Sequence, residues 1–151
     1  MAPGVAGAPG YRKMFEIKLI RQFSSAHNLR NYRGKCEKLH GHNWKVETTL
    51  AGGGLDKSEM LFDFTEAKKL VDAVLSKFDH GYLNKLPPFD RINPTSENIA
   101  KYVFESIQKK LKTQYKITGK IKVSKITVWE SDNQAASFYE NARQRPGGRQ
   151  R

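Results

Sequence analysis

The sequence predicts an α+β domain of two layers: an antiparallel four-stranded sheet covered on one face by two helices. Three observations carry that expectation. Apolar and polar residues alternate over 15–23 and again from His40, which is the period of a half-buried strand. Between 63 and 111 the apolar spacing changes to three and four, the period of a helix with one buried stripe. Strand composition then returns over 120–130, so the element order is β-β-α-α-β-β. Strands, helices and strands in separate runs place the helices together on one face of the sheet.

The first strand sets Phe15, Ile17, Leu19 and Phe23 against Glu16, Lys18 and Gln22. Continuing its phase puts Ser25 and His27 on the apolar face. Residues 28–35 are polar, contain Gly34, and read as a loop. In the second strand His40, His42, Trp44, Val46, Thr48 and Leu50 share one face, opposite Asn43, Lys45, Glu47 and Thr49. A glycine-rich turn over 51–56 follows, and the two strands pair as a hairpin with a long loop.

Asp63-Phe64-Thr65-Glu66 has the form of a capping box. The stripe Phe64, Ala67, Leu70, Val71, Val74, Leu75 and Phe78 then predicts a helix ending near Phe78, before Asp79-His80-Gly81. Thr95 or Ser96 caps a second helix with Ile99, Val103, Ile107 and Leu111 inward. In the third strand Ile126, Val128 and Glu130 share a phase, while Ile121 and Val123 hold the opposite one. A bulge near Ser124 or Lys125 reconciles the two. A turn at 131–134 leads to a short last strand over 135–140. The uncovered sheet face and the sheet edges need water or another copy of the chain, so oligomerisation is expected.

The domain is expected over 14–140, with a disordered extension at 1–13 and a disordered basic tail at 141–151. Hydrophobic residues at 38% and charged residues at 28% fit a soluble globular protein, and no apolar run is long enough to span a membrane. The first ten residues lack the basic leader and apolar run of a secretory signal. One cysteine excludes an internal disulfide and fits a reduced, cytoplasmic compartment. The net charge of +12 raises nucleic-acid binding as a distant alternative. Arg12 and Lys13 at one end, with Arg143, Arg145, Arg149 and Arg151 at the other, supply half of that charge. The remaining body is no more basic than a protein handling a polyanionic small molecule needs.

Chemistry concentrates in Cys36-Glu37-Lys38-Leu39-His40-Gly41-His42. Side chains at i and i+2 of a strand point the same way, so His40 and His42 converge, and His27 is in phase on the neighbouring strand. Three imidazoles with an open fourth position are a catalytic zinc arrangement, although copper or iron can also take three imidazoles. Cys36 lies between Lys35 and Lys38. It is either an inert small residue or a thiolate favoured by nearby positive charge. Asp79-His80 is either a solvated loop pair or a carboxylate-oriented proton shuttle. Glu130 is either at an exposed strand end or grips a cationic or amide-rich ligand through two hydrogen bonds.

These residues together resemble the 6-pyruvoyltetrahydropterin synthase family. The resemblance rests on His27 after the first strand, Cys-x3-His-Gly-His at 36–42 and Asp79-His80 after the first helix. Asn93-Pro94-Thr95-Ser96-Glu97-Asn98 opens the second helix and Trp129-Glu130-Ser131 lies in the third strand, so the match spans about 14–140. The resemblance implies a tunnelling fold in which three protomers join sheets into a barrel and two trimers stack as a hexamer. It implies 7,8-dihydroneopterin triphosphate as substrate, His27, His40 and His42 as zinc ligands, and Cys36 as catalytic base. It further implies that Asp79 and His80 are a proton-relay pair donated to a neighbouring subunit, and that Glu130 grips the pterin's amino-pyrimidine edge.

The three-residue gap between Cys36 and His40 resembles the 6-carboxy-5,6,7,8-tetrahydropterin synthases of queuosine biosynthesis. The 6-pyruvoyl enzymes usually have a longer gap, and a folate branch uses glutamate in place of the cysteine, so Glu37 keeps that alternative open. Arg30, Arg33, Lys35 and Lys38 are candidates for holding the triphosphate, and their ordinary reading is loop solubility.

Overall fold

Two strands of 13 residues, β1 (Phe15–His27) and β2 (His40–Gly52), form the hairpin on which the remaining elements are laid. Their antiparallel register runs unbroken from Phe15 opposite Gly52 to His27 opposite His40. The alternation therefore carries through to the strand ends, and Leu19, Phe23, Trp44, Val46 and Leu50 are buried on one face. The computed structural model describes residues 12–117 and 119–141. Most of the expected extension at 1–13 and of the tail at 141–151 lies outside the described residues.

Helices α1 (Phe64–Leu75) and α2 (Ser96–Thr113) cover that face. Asp63 caps α1 by accepting from the backbone N–H groups of Thr65 and Glu66. The reciprocal half of the capping box is not used, because Glu66 turns to Lys69 and Tyr115 instead. Thr95, not Ser96, is the α2 cap, with its Oγ1 accepting from Asn98 N–H at 3.2 Å. Leu70, Val71 and Val74 of α1 meet Ile99, Val103, Ile107 and Leu111 of α2 over the sheet. Each such side chain withdrawn from water contributes about 1.5–3 kcal/mol before the entropy of ordering it is subtracted. Arg21 of β1 reaches Asp72 of α1 through two 2.7 Å hydrogen bonds and fixes that helix along the sheet.

The sheet has five strands rather than four, in the order β3-β1-β2-β4-β5, with β3 at Gly81–Tyr82, β4 at Ile121–Ser131 and β5 at Gln134–Phe138. The extra strand β3 is two residues long and runs parallel to β1, pairing Gly81 with Ser25 and Tyr82 with Ala26. Helix α1 stops at Leu75 rather than near Phe78. Phe78 is nevertheless buried, because a tighter turn from Leu75 O to Phe78 N–H carries its ring inward. The bulge expected near Ser124 is present: Thr49 faces Lys125 and Leu50 faces Val123, so Ser124 is the extra residue. A second bulge lies at Glu130, between Trp129 opposite Ala135 and Ser131 opposite Gln134. On the uncovered face Glu16, Lys18, Gln22 and Asn43 are exposed, while Lys45 and Glu47 are half-buried. Among the described residues no helix is long and apolar enough to cross a membrane.

Candidate active site

The end of β1, the start of β2 and the end of β4 converge beneath the first turn of α2. His27 closes β1 opposite His40, and His42 follows one pleat later on the same face. The ligand-capable atoms of His27, His40, His42 and Glu130 all lie within 4.8 Å of one another. Trp44, one pleat deeper, sets its ring edge-on to His27 at 4.9 Å and to His42 at 5.2 Å between centroids. This packing limits how the two imidazoles can turn.

The hydrogen bonds behind the rings show what the front can hold. His27 Nδ1 lies 2.8 Å from Pro94 O, and His40 Nδ1 lies 2.7 Å from Lys38 O. A carbonyl only accepts, so each Nδ1 carries its hydrogen and, in the neutral ring, leaves the lone pair on Nε2. The two Nε2 atoms then face each other at 3.0 Å. Two lone pairs so placed are satisfied by a shared cation. Backbone carbonyls behind metal-bound imidazoles fix tautomer and orientation in this same way.

Burial holds His27 below the ordinary histidine pKa, with its neighbours His40 and His42 adding to the effect against the Pro94 carbonyl and Glu130. Burial likewise lowers His42, opposed by Glu130. Both shifts favour the neutral, metal-binding imidazole. His42 Nε2 is buried without a hydrogen-bond partner, although Glu130 Oε1 is 3.1 Å away. A single cation between two such atoms would satisfy both. The four side chains thus fit a divalent cation of the zinc class, which takes nitrogen and oxygen donors in a tetrahedron.

A cavity of about 300 Å³ opens beside this cluster, lined by His27, Cys36, Glu130, Thr95, Ser96 and Glu97 among others. Cys36 sits in a single 3-10 turn (Lys35–Glu37) and is half-buried, whereas Glu37 is exposed and does not line the cavity. The loop is closed at its base by Leu29 N–H donating to Cys36 O at 2.8 Å. Larger clefts, of about 540 and 620 Å³, lie at the opposite end of the sheet around Gly53 and Lys120, and no histidine or cysteine lines them.

The structure brings His27, His40, His42, Glu130 and Cys36 to one place, and it keeps Asp79 and His80 apart from them. Asp79 accepts from Ser24 N–H at 2.9 Å on the open edge of β1, and its other oxygen is 3.0 Å from His80 Nδ1. The Ser24 N–H first, and His80 second, hold the Asp79 carboxyl below its ordinary pKa. His80 has a left-handed backbone (φ 55°) and a side chain 83% exposed, so it presents outward from its own protomer.

Arg30 does not present its charge to the cavity. Its guanidinium donates to the carbonyls of Ile92, Asn84 and Phe89 and holds the 84–92 loop against the start of the 28–39 loop. Arg33, Lys35 and Lys38 are exposed around Cys36. Four residues of the 93–98 motif, read from the sequence only as a helix start, also contribute to the site. Pro94 acts through its carbonyl, which any residue has. Thr95, Ser96 and Glu97 read as a helix start and also form a cavity wall.

Comparison with known proteins agrees with this architecture. The family model described as PTPS, 6-pyruvoyl tetrahydropterin synthase, matches residues 16–141. The chain is 38% identical over 104 residues to the 6-carboxy-5,6,7,8-tetrahydropterin synthase of Bacillus subtilis, covering 66% of this chain and 69% of that one. It is 34% identical over 110 residues to the dihydroneopterin monophosphate aldolase of Pyrococcus furiosus, covering 73% and 84%. The solved structure of Caenorhabditis elegans 6-pyruvoyl tetrahydropterin synthase superposes with a TM-score of 0.74 at 26% identity, over 87% of this chain and 100% of that one. The protomer accordingly has the tunnelling fold, and the chain belongs to the 6-pyruvoyl tetrahydropterin synthase family.

Proposed function

We propose that this pterin synthase relative is a zinc-dependent lyase of queuosine biosynthesis. It converts 7,8-dihydroneopterin triphosphate and one water to 6-carboxy-5,6,7,8-tetrahydropterin and releases triphosphate and acetaldehyde. The observation that carries the reading is Cys36, with three residues between it and His40, lining one cavity with His27 and Glu130. The likeness to the Bacillus subtilis protein of that name supports it.

His27, His40 and His42 would hold zinc, which when bound supplies a Lewis acid toward the oxygens of the substrate side chain. The chain's own residues do the rest. Cys36 Sγ takes a proton from the substrate. The Glu130 carboxylate accepts two hydrogen bonds from the amino-pyrimidine edge and so sets the ring's orientation. Asp79 keeps hydrogen on His80 Nδ1 and leaves Nε2 free to exchange a proton. Because that pair faces outward, it serves the site of a neighbouring protomer, as in a hexamer of two stacked trimers. Arg33, Lys35 and Lys38 attract the triphosphate to the cavity mouth. Such an enzyme acts in the cytoplasm.

A second reading, a folate-branch aldolase, is favoured by the likeness to the Pyrococcus furiosus protein and by Glu37 beside Cys36. The exposure of Glu37 away from the cavity weighs against it. Incubation of zinc-replete protein with 7,8-dihydroneopterin triphosphate, with products identified by mass spectrometry, decides. The expected products are 6-carboxytetrahydropterin and acetaldehyde. A 6-pyruvoyl product or an aldol-cleavage product would move the chain to another branch, and no turnover would overturn the enzyme reading.

A further inference from the structure

We infer that the basic cleft at the far end of the sheet is a second binding site, shaped for a compact oligophosphate anion. It stands well apart from the histidine cluster. Strands β1 and β2 stay in register from His27 opposite His40 to Phe15 opposite Gly52, about 40 Å of extended chain. None of the residues that line the cavity beside Cys36 lines this cleft.

Charge carries the assignment. The cleft has a volume of about 540 Å³, and Arg12, Lys13, Lys120 and Lys122 line it with no carboxylate among the lining residues. All four are exposed, and among the described residues none is within ion-pair distance of an acid. The carboxylates on either side are engaged elsewhere. Glu16, in one cross-strand row with Ala51 and Lys122, accepts from Ser124 Oγ at 3.2 Å. Asp56, on the neighbouring cleft, accepts from the N–H groups of Ser58 and Met60 in its own turn. Four like charges around one concavity repel one another, and a polyanion seated between them relieves that repulsion.

Backbone geometry gathers these cations from two distant stretches of chain. Gly119 has a left-handed backbone (φ 76°), which glycine adopts without steric cost, and it turns the chain toward β4 just before Lys120. At Gly52 a Cβ would stand 2.5 Å from Lys120 O and 2.7 Å from Leu61 Cδ1. Only glycine therefore lets the end of β2 approach Lys120 this closely. Arg12 and Lys13 arrive from the other side, just before β1, whose Phe15 pairs with the same Gly52. Concavity then selects the ligand. Nucleic acid follows an extended basic stripe, whereas this cleft has the volume of a small-ligand site. A short run of linked phosphates fits that volume and offers an oxygen to each cation through charge-assisted hydrogen bonds.

The test uses full-length, zinc-loaded protein with inorganic triphosphate as the probe. Lysine acetylation read by mass spectrometry localises the ligand. Triphosphate should protect Lys120 and Lys122 and leave Lys101, exposed on α2, as reactive as before. Equal reactivity of Lys120 and Lys122 with and without saturating triphosphate would overturn the site. Replacing both by glutamine, Lys120→Gln with Lys122→Gln, should weaken triphosphate binding there by about tenfold or more at low salt, the scale of hydrogen bonds to charged groups. Lys120→Arg with Lys122→Arg keeps the charge and should retain binding, with bound zinc the same in all three proteins. Native-like affinity and stoichiometry in the glutamine pair would overturn the assignment.

A second arm separates a compact anion from a nucleic-acid backbone. A single-stranded RNA of about twenty nucleotides replaces triphosphate in the acetylation experiment, at low and at physiological salt. It should protect Lys120 and Lys122 less than triphosphate does, and triphosphate should reverse that protection. Protection by RNA that triphosphate neither matches nor reverses would overturn the compact-anion assignment in favour of a nucleic-acid surface. Neither readout involves turnover, so their failure would leave the pterin reaction untouched, and loss of that reaction would leave them standing.

Discussion

His27 and His40 face each other across the β1–β2 register, their Nε2 atoms 3.0 Å apart and each Nδ1 committed to a backbone carbonyl. The second half of that relationship decides what the first means. Rings whose rear nitrogens donate to carbonyls must meet in front as acceptors unless one is protonated. Removing one of them should therefore remove the metal. His40→Ala is expected to lose bound zinc, measured as metal per chain after dialysis.

Cys36 borders the same cavity but is not among the clustered donor atoms. Cys36→Ala should keep its zinc and lose turnover by about a hundredfold or more, the range of a positioned proton-transfer group. Equal metal loss in Cys36→Ala and His40→Ala would make the thiol a ligand and remove its role as base.

The pH dependence of the metal-free protein follows from burial of His27 and His42. Both have folded-state pKa values below the ordinary 6.5, so between the two values the unfolded chain binds more protons than the folded one. Stability then rises with pH through that window. It is complete above about 6.5, where both states are neutral, and declines as pH falls toward the folded values. Urea titrations of metal-free protein from pH 7.5 down to pH 5 should show a falling midpoint. Zinc should steepen this trend, because protons and metal compete for the same nitrogens.

How much of this was legible in the sequence depended on periodicity. Leu19, Phe23, Trp44 and Val46 carry a period of two far enough to place all three histidines on one face. The phase change from Ile121 and Val123 to Ile126 and Val128 likewise marks the bulge at Ser124. The bulge at Glu130 breaks no such pattern, since it falls where the apolar run has already ended. Strand β3 is two residues long and has no period to show. Arg30 looked like its basic neighbours in composition. Only the folded loop gives it three carbonyls and separates it from Lys35 and Lys38.

Arg30→Ala should accordingly act on stability. It strips the donors from the carbonyls of Asn84, Phe89 and Ile92, and each loss of a partner costs about 1–3 kcal/mol where the group stays out of water. Lys35→Ala and Lys38→Ala, both exposed, should leave the denaturation midpoint unchanged. They should instead raise KM for the triphosphate substrate, more at low salt than at high. An Arg30→Ala protein of native stability with a raised KM would return Arg30 to the triphosphate site.

The outward placement of Asp79 and His80 makes the last prediction. Each protomer presents this pair from the β1 edge, through the Asp79 bond to Ser24 N–H, and not into its own cavity. If a neighbour's site uses it, two inactive chains can repair each other. Cys36→Ala lacks the base but keeps His80, while His80→Ala keeps the base but lacks the relay. Each should be nearly inactive alone. Unfolded together and refolded as a mixture, they should regain turnover, because some interfaces then join an intact Cys36 to an intact His80. A mixture no more active than its components would place the relay within one chain or remove it from catalysis. Retention of zinc by both variants separates that outcome from simple misfolding.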